Sequence, residues 1–196
     1  SISDVGLYTA GTTIANSYIF LVMSSMSTDY VPRLSALNGN IEAQNEAINK
    51  QTELLAIILL PLLVFFIVFS KEMILLLYSS EFIVISTMLE LFMVGMLFQA
   101  FTWCLSYAVV ARGDKKLFLL TEIYNFSISI LLKVVGFYIA GLDGIGVAFI
   151  VDYIFELLLI FIVCHRKYQF RLSPDCQIVI FYSVVICTIT LVSVYV

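Results

Sequence analysis

Glu122, Lys133, Asp152 and Glu156 sit inside runs that are otherwise apolar enough to cross a bilayer. A charge near the bilayer centre costs on the order of 3 kcal/mol even on lenient insertion scales, so such side chains pair with one another, meet water or meet a ligand. Asp152 and Glu156 are one helical turn apart. The GLDG stretch at Gly141–Gly144 lies between the two runs, and folding a tight antiparallel hairpin about it brings position 133 level with position 152. The spacing therefore places Lys133 opposite Asp152, directly or through water. Two readings follow for Lys133, Asp152 and Glu156. One is a structural ion pair that neutralises costly charges; the other is a cation or substrate site whose occupancy is linked to movement.

Uncharged polar residues in the same runs also fall on stripes. At about 100° per residue, Thr9, Thr13, Asn16, Ser24 and Ser27, with Phe20 among them, share one narrow face of a helix. Gln99, Trp103 and Ser106 share a second face, and Glu122, Asn125, Ser129, Lys133 and Gly136 a third. Hydroxyls alone are explained equally well by helix packing, since Ser and Thr bond across helices and let backbones approach. The embedded charges favour a shared hydrophilic interior, with Thr13, Asn16, Gln99, Glu122, Asn125 and Lys133 as its lining. Glu90 lies close to the end of its run and is expected to snorkel to the interface. Arg33, just past the first run, could pair bidentately with phosphate oxygens or simply mark topology.

The elements that hold these residues must be helices. Between Leu54 and Ser70 the chain reads LLAIILLPLLVFFIVFS without a charge. A hydrocarbon core about 30 Å thick takes roughly 20 helical residues to cross, and unpaired backbone groups in lipid cost several kcal/mol. The chain is 62% hydrophobic and 12% charged, with a mean hydropathy of +1.06, against about 25% charged in soluble domains. The expected fold is all-α, a polytopic transmembrane helix bundle. Its six spans cover about 5–28, 54–70, 86–111, 117–140, 144–164 and 177–196. The run at 73–85 is too short to cross and reads as an interfacial or re-entrant helix. The polar stretch 37–53 reads as a separate surface helix capped by Asn40 and braced by Glu46 and Lys50. Pro61 should kink the second span, as a passive bend or a hinge.

The basic residues support this count, because cytoplasmic loops collect Lys and Arg. Arg33 and Lys50, then Arg112, Lys115 and Lys116, then Arg166, Lys167 and Arg171 occupy alternate loops. Loops 33–53, 112–116 and 165–176 are thus expected on the cytoplasmic side, with Ser1 on the other. A net charge of −4 argues against nucleic acid as a partner. Cys104 and Cys187 fall within spans, while Cys164 and Cys176 flank a loop expected in a reducing compartment, so neither a disulfide framework nor a metal site is expected. His165, the only histidine, belongs to a basic cluster rather than to a catalytic site. No catalytic residue, metal or cofactor is expected, and the chain is not read as an enzyme. It starts at Ser1 and stops within an apolar run, so residues 1–196 read as a single lobe of a longer transporter-like chain.

Short motifs in order carry a family resemblance. DVGLYTAG at Asp4–Gly11 and STDYVPRLS at Ser27–Ser35 are followed by LLLYSSEF at Leu75–Phe82, ARGDKKLFLLTEI at Ala111–Ile123 and GLDGIGVAFIVDY at Gly141–Tyr153. Together they resemble polysaccharide flippases of the multidrug/oligosaccharidyl-lipid/polysaccharide exporter superfamily, with O-antigen translocases nearest in pattern. The resemblance implies most of the second lobe of a two-lobe transporter. It also implies a multi-pass protein of the bacterial inner membrane that flips an undecaprenyl-diphosphate-linked oligosaccharide through a hydrophilic cavity. Partners would then be the lipid-linked oligosaccharide, the bilayer, the first lobe and other polysaccharide assembly proteins. Family cavities often carry several cations, and this lobe supplies only Lys133 deep in the membrane. Two rivals remain: a cation-coupled drug or small-molecule antiporter of the same superfamily using Glu122, Asp152 or Glu156, and a membrane-embedded enzyme of polysaccharide assembly.

Overall fold

A computed structural model describes residues 2–195, and among them every regular element is helical. The order is α1 (Ile2–Ala36), α2 (Ile41–Val68), the short α3 (Ser70–Leu77), a 3₁₀ turn (Ser80–Ile85), α4 (Ser86–Ala111), α5 (Lys115–Tyr168) and α6 (Pro174–Tyr195). Five of these helices are long and apolar enough to cross a membrane. The longest, α5, is two passes rather than one. Its helical geometry breaks at Ala140 and at Gly141, whose φ of 61° lies in the left-handed region that glycine enters at little cost. The outgoing arm (115–139) and returning arm (142–168) then lie side by side, because Gly136 and Gly144 let the two backbones touch. A Cβ on either residue would run into the other's carbonyl oxygen.

The bundle is organised around α4, which packs against α1, α2, α5 and α6. Leu89, Phe92, Met93, Leu97, Ala100 and Phe101 of α4 are all at most 2% exposed. Apolar residues face outward on α5 and α6, as lipid-facing helices require: Leu131, Tyr138, Phe155, Phe181 and Ile189 are each more than half exposed. The protein is a multi-pass membrane protein.

Three boundaries differ from those the sequence suggests. Helix α1 continues beyond residue 28 through Pro32, because Tyr30 and Leu34 extend its buried face past the end of the apolar run. The polar stretch 37–53 is no separate surface helix but the first half of α2. Gln44, Ile48, Gln51 and Thr52 continue the buried face of Leu55, Leu59 and Leu63 at helical spacing. Asn40 caps this helix, accepting from the Ala43 amide at 3.1 Å, and Lys50 pairs with Glu46 at 2.5 Å. The 73–85 run is split between α3 and the 3₁₀ turn, and neither piece is long enough to cross. Helix α2 runs through Pro61 without a break.

Glu90 does not snorkel. It is 2% exposed, and its carboxylate accepts from Ser70 Oγ at 2.5 Å and Tyr195 Oη at 2.9 Å. Two hydroxyls brought from α3 and α6 replace the water it would otherwise seek, and they tie three elements together at that end.

The opposite end gathers all three basic loops. Asn45 donates to the Gln169 carbonyl at 3.1 Å and Asn49 to the Arg171 carbonyl at 3.0 Å, while the Ser173 amide donates to Asn49 Oδ1 at 2.9 Å. Asp114 caps the outgoing arm and pairs with Lys167, and the Arg112 guanidinium lies 4.2 Å from the centre of the Tyr168 ring. The Lys167 ammonium beside Asp114 holds its carboxyl below the usual carboxylate value. His165 bonds the Phe170 carbonyl at 2.8 Å and stacks on Phe161, a structural role in turning the chain.

Candidate functional site: a polar cleft between α4 and the α5 hairpin

The site begins with the face of α4 that does not enter the core. Gln99, Trp103, Ser106 and Tyr107 follow at intervals of three or four and so share one side of the helix. Trp103 is fixed from behind. Tyr30 of α1, fully buried, stacks on its ring at 5.9 Å and donates its hydroxyl to the Cys104 carbonyl at 2.8 Å. Tyr107 meets Trp103 edge-on, with centroids 4.7 Å apart. Across from this wall stand Glu122 on the outgoing arm and Tyr153 and Glu156 on the returning arm. The space between is an open cleft of about 400 Å³, with Met23 of α1 at one side and Val110 and Phe118 toward the end that carries the basic loops.

The hairpin brings its polar groups into register. Asn125 donates to Glu156 Oε1 at 3.0 Å, and Lys133 Nζ lies 3.8 Å from Asp152 Oδ2 and bonds Ser129 Oγ at 2.6 Å. Lys133 also sits 5.9 Å from the centre of the Phe149 ring. The side chain of Asp152 is 7% exposed and that of Lys133 32%. This pair is more than half enclosed by protein, and removing one member would strand the other. Among the described residues no group of three or more His, Cys, Asp and Glu side chains could hold a metal ion, and the four cysteines are free and buried.

Of the residues singled out from the sequence, Gln99, Glu122 and Glu156 line the cleft, and Asn125 supports it through Glu156. Lys133 and Asp152 form their own pair within the hairpin and do not line it. Thr13 and Asn16 lie on an exposed face of α1 and do not reach the cleft; Met23 is what α1 contributes. Arg33 donates to Gln51 Oε1 at 2.9 Å and lies 3.9 Å from Asp29. It belongs to the junction of α1 and α2. Tyr107 and Tyr153 were not singled out, although the signal was present. Tyr107 is four residues after Trp103, and Tyr153 three before Glu156, so each shares a face with a residue that was.

Residues 1–87 match a family model described as polysaccharide biosynthesis protein. The match spans α1, α2, α3, the 3₁₀ turn and the start of α4, and it stops short of Gln99, Glu122 and Glu156. It supports a role in polysaccharide biosynthesis or transport. No curated protein and no solved structure matches the chain.

Proposed function

We propose that this chain is part of a flippase that turns an undecaprenyl-diphosphate-linked oligosaccharide from the cytoplasmic to the periplasmic leaflet of a bacterial inner membrane, for O-antigen or capsular polysaccharide biosynthesis. The observation that carries this reading is the cleft: an amide, two carboxyls, hydroxyls and aromatic rings line one open cleft in a bundle whose outside is apolar. The match of residues 1–87 to polysaccharide biosynthesis proteins supports the same class of cargo.

The physics of such a cargo explains the arrangement. Its prenyl tail is at home in hydrocarbon, whereas its sugars and diphosphate are not, so a polar groove open to lipid lowers the barrier for the head while the tail stays in the bilayer. Rocking of this lobe against a first lobe would expose the head to each leaflet in turn. The three basic loops gathered at one end would face the cytoplasm. Arg33, exposed at that end, would meet the diphosphate as the substrate loads. No residue is assigned a catalytic role, and no cofactor is required, because no covalent bond changes.

The test is deletion of the parent gene followed by measurement of lipid-linked oligosaccharide on the cytoplasmic leaflet. Accumulation there, reversed by the intact gene, supports the proposal; an unchanged pool ends it. The enclosed Lys133–Asp152 pair beside Glu156 favours a second reading, a cation-coupled antiporter. Transport that depends on a proton or sodium gradient, and loses that dependence in Asp152→Asn or Glu122→Gln, would favour it.

A further inference from the structure

We infer that the cleft selects uncharged or amino-bearing sugars and works against uronic acids and other anionic ones. This rests on the proposal that the cleft is a glycan path and goes further by naming the class of glycan.

The argument starts from what a pyranose offers, an apolar C–H face and a rim of hydroxyls. The Trp103 and Tyr107 rings supply flat apolar surface for the first, and Trp103 is held in place by Tyr30 behind it. Glu122, Glu156 and Gln99 supply acceptors for the second. Gln99 Oε1 is buried with no hydrogen-bond partner in the protein, an acceptor that a turn of the side chain into the cleft would satisfy on a ligand. The charge of the lining then sets the class. Among the lining residues there are two acids, Glu122 and Glu156, and no Lys, Arg or His. The nearest intramembrane cation, Lys133, is engaged by Asp152 and Ser129. A sugar carboxylate entering this space would meet like charge with no cation in the lining to answer it. A sugar ammonium would gain both carboxyls and the face of Trp103.

The test uses the full-length transporter in proteoliposomes with three prenyl-diphosphate-linked oligosaccharides of equal length. One is uncharged, one carries a free amino sugar and one carries a uronic acid. Translocation is read as protection from a membrane-impermeant glycan oxidant. The uncharged and amino-bearing substrates should move at least about tenfold faster than the uronic one, a discrimination equivalent to about 1.4 kcal/mol. The Glu122→Gln/Glu156→Gln variant should narrow that ratio toward unity. The ratio in the unaltered protein decides the matter even if the variant does not fold. A uronic substrate that moves as fast as the uncharged one, or faster, overturns the charge selection while leaving the flippase reading intact. Movement of none of the three overturns the flippase reading, and this inference with it.

Discussion

Helix α1 and the α5 hairpin both carry polar residues within apolar runs, yet they satisfy them in different ways. On α1, Thr9 donates to the Val5 carbonyl at 2.7 Å, Thr12 to Tyr8 at 3.0 Å, Ser25 to Leu21 at 2.7 Å and Ser27 to Ser24 at 2.7 Å. Each hydroxyl is answered by its own helix, three or four residues back. In the hairpin the bonds run between arms, Asn125 to Glu156 and Lys133 to Asp152. The difference is one of chemistry. A hydroxyl is short enough, and neutral, so a backbone carbonyl suffices; an ammonium or carboxylate needs an opposite charge or water, and Lys133 finds that charge on the facing arm. Polar stripes of hydroxyls therefore say little about a cavity, whereas the embedded charges of this hairpin are answered across it.

Substitutions can break this contrast at its strongest point first. Gly144→Leu should disrupt the hairpin most. The new side chain meets the Gly136 carbonyl, backbone rather than a movable side chain, and overpacking of that kind costs about 3 kcal/mol or more. The expected result is loss of monodisperse protein in detergent, and a protein that elutes unchanged would show that the arms do not touch. Asp152→Ala should come next, at about 2 kcal/mol. That is less than the roughly 3–5 kcal/mol of a fully buried pair, because the Lys133 side chain keeps 32% exposure. Adding Lys133→Met should recover most of the loss in thermal midpoint. A double variant no better than the single one would mean that the two side chains are not energetically coupled.

A smaller effect should appear at the base of the hairpin. Lys167 lowers the Asp114 pKa from its ordinary value of 3.8. The stability this pair contributes is therefore complete above that value and lost as pH falls through the lowered one. Stability profiles of the parent and of Asp114→Asn should converge as pH drops below about 4; a gap that stays constant down to pH 2 would remove the ion pair from the account. The smallest effect belongs to α1. Thr9→Val and Thr12→Val should each change stability by less than about 0.5 kcal/mol, since they remove only a bond made within the helix. A large loss would mean that these hydroxyls serve something outside α1.

Much of the architecture was legible in the chain. Apolar runs of bilayer length imposed helices, and the Gly141–Gly144 turn together with the helical repeat fixed the register that sets position 133 against 152. Glu90 was read differently because the sequence shows a carboxylate near the end of a run, but not the hydroxyls of Ser70 and Tyr195, which lie 20 and 105 residues away. Residues 37–53 were misread for a related reason. Their polarity suggests a surface, but the loop 168–173 folds back onto Asn45 and Asn49 and the end of α1 covers Gln44 and Gln51. The α1 stripe shows the same limit, since periodicity reports that Thr13 and Asn16 share a face but not which way the face is turned.

The sequence by itself determined that this protein is a helical membrane bundle with a closely packed hairpin, because bilayer thickness, backbone hydrogen bonding and a glycine turn are local or one-dimensional constraints. The tertiary structure decided which polar groups meet. Gln99, Glu122 and Glu156 share a cleft, while Asn16 does not, because that outcome depends on how each rigid helix is rotated about its axis. The rotation is set by the packing of all the others around α4.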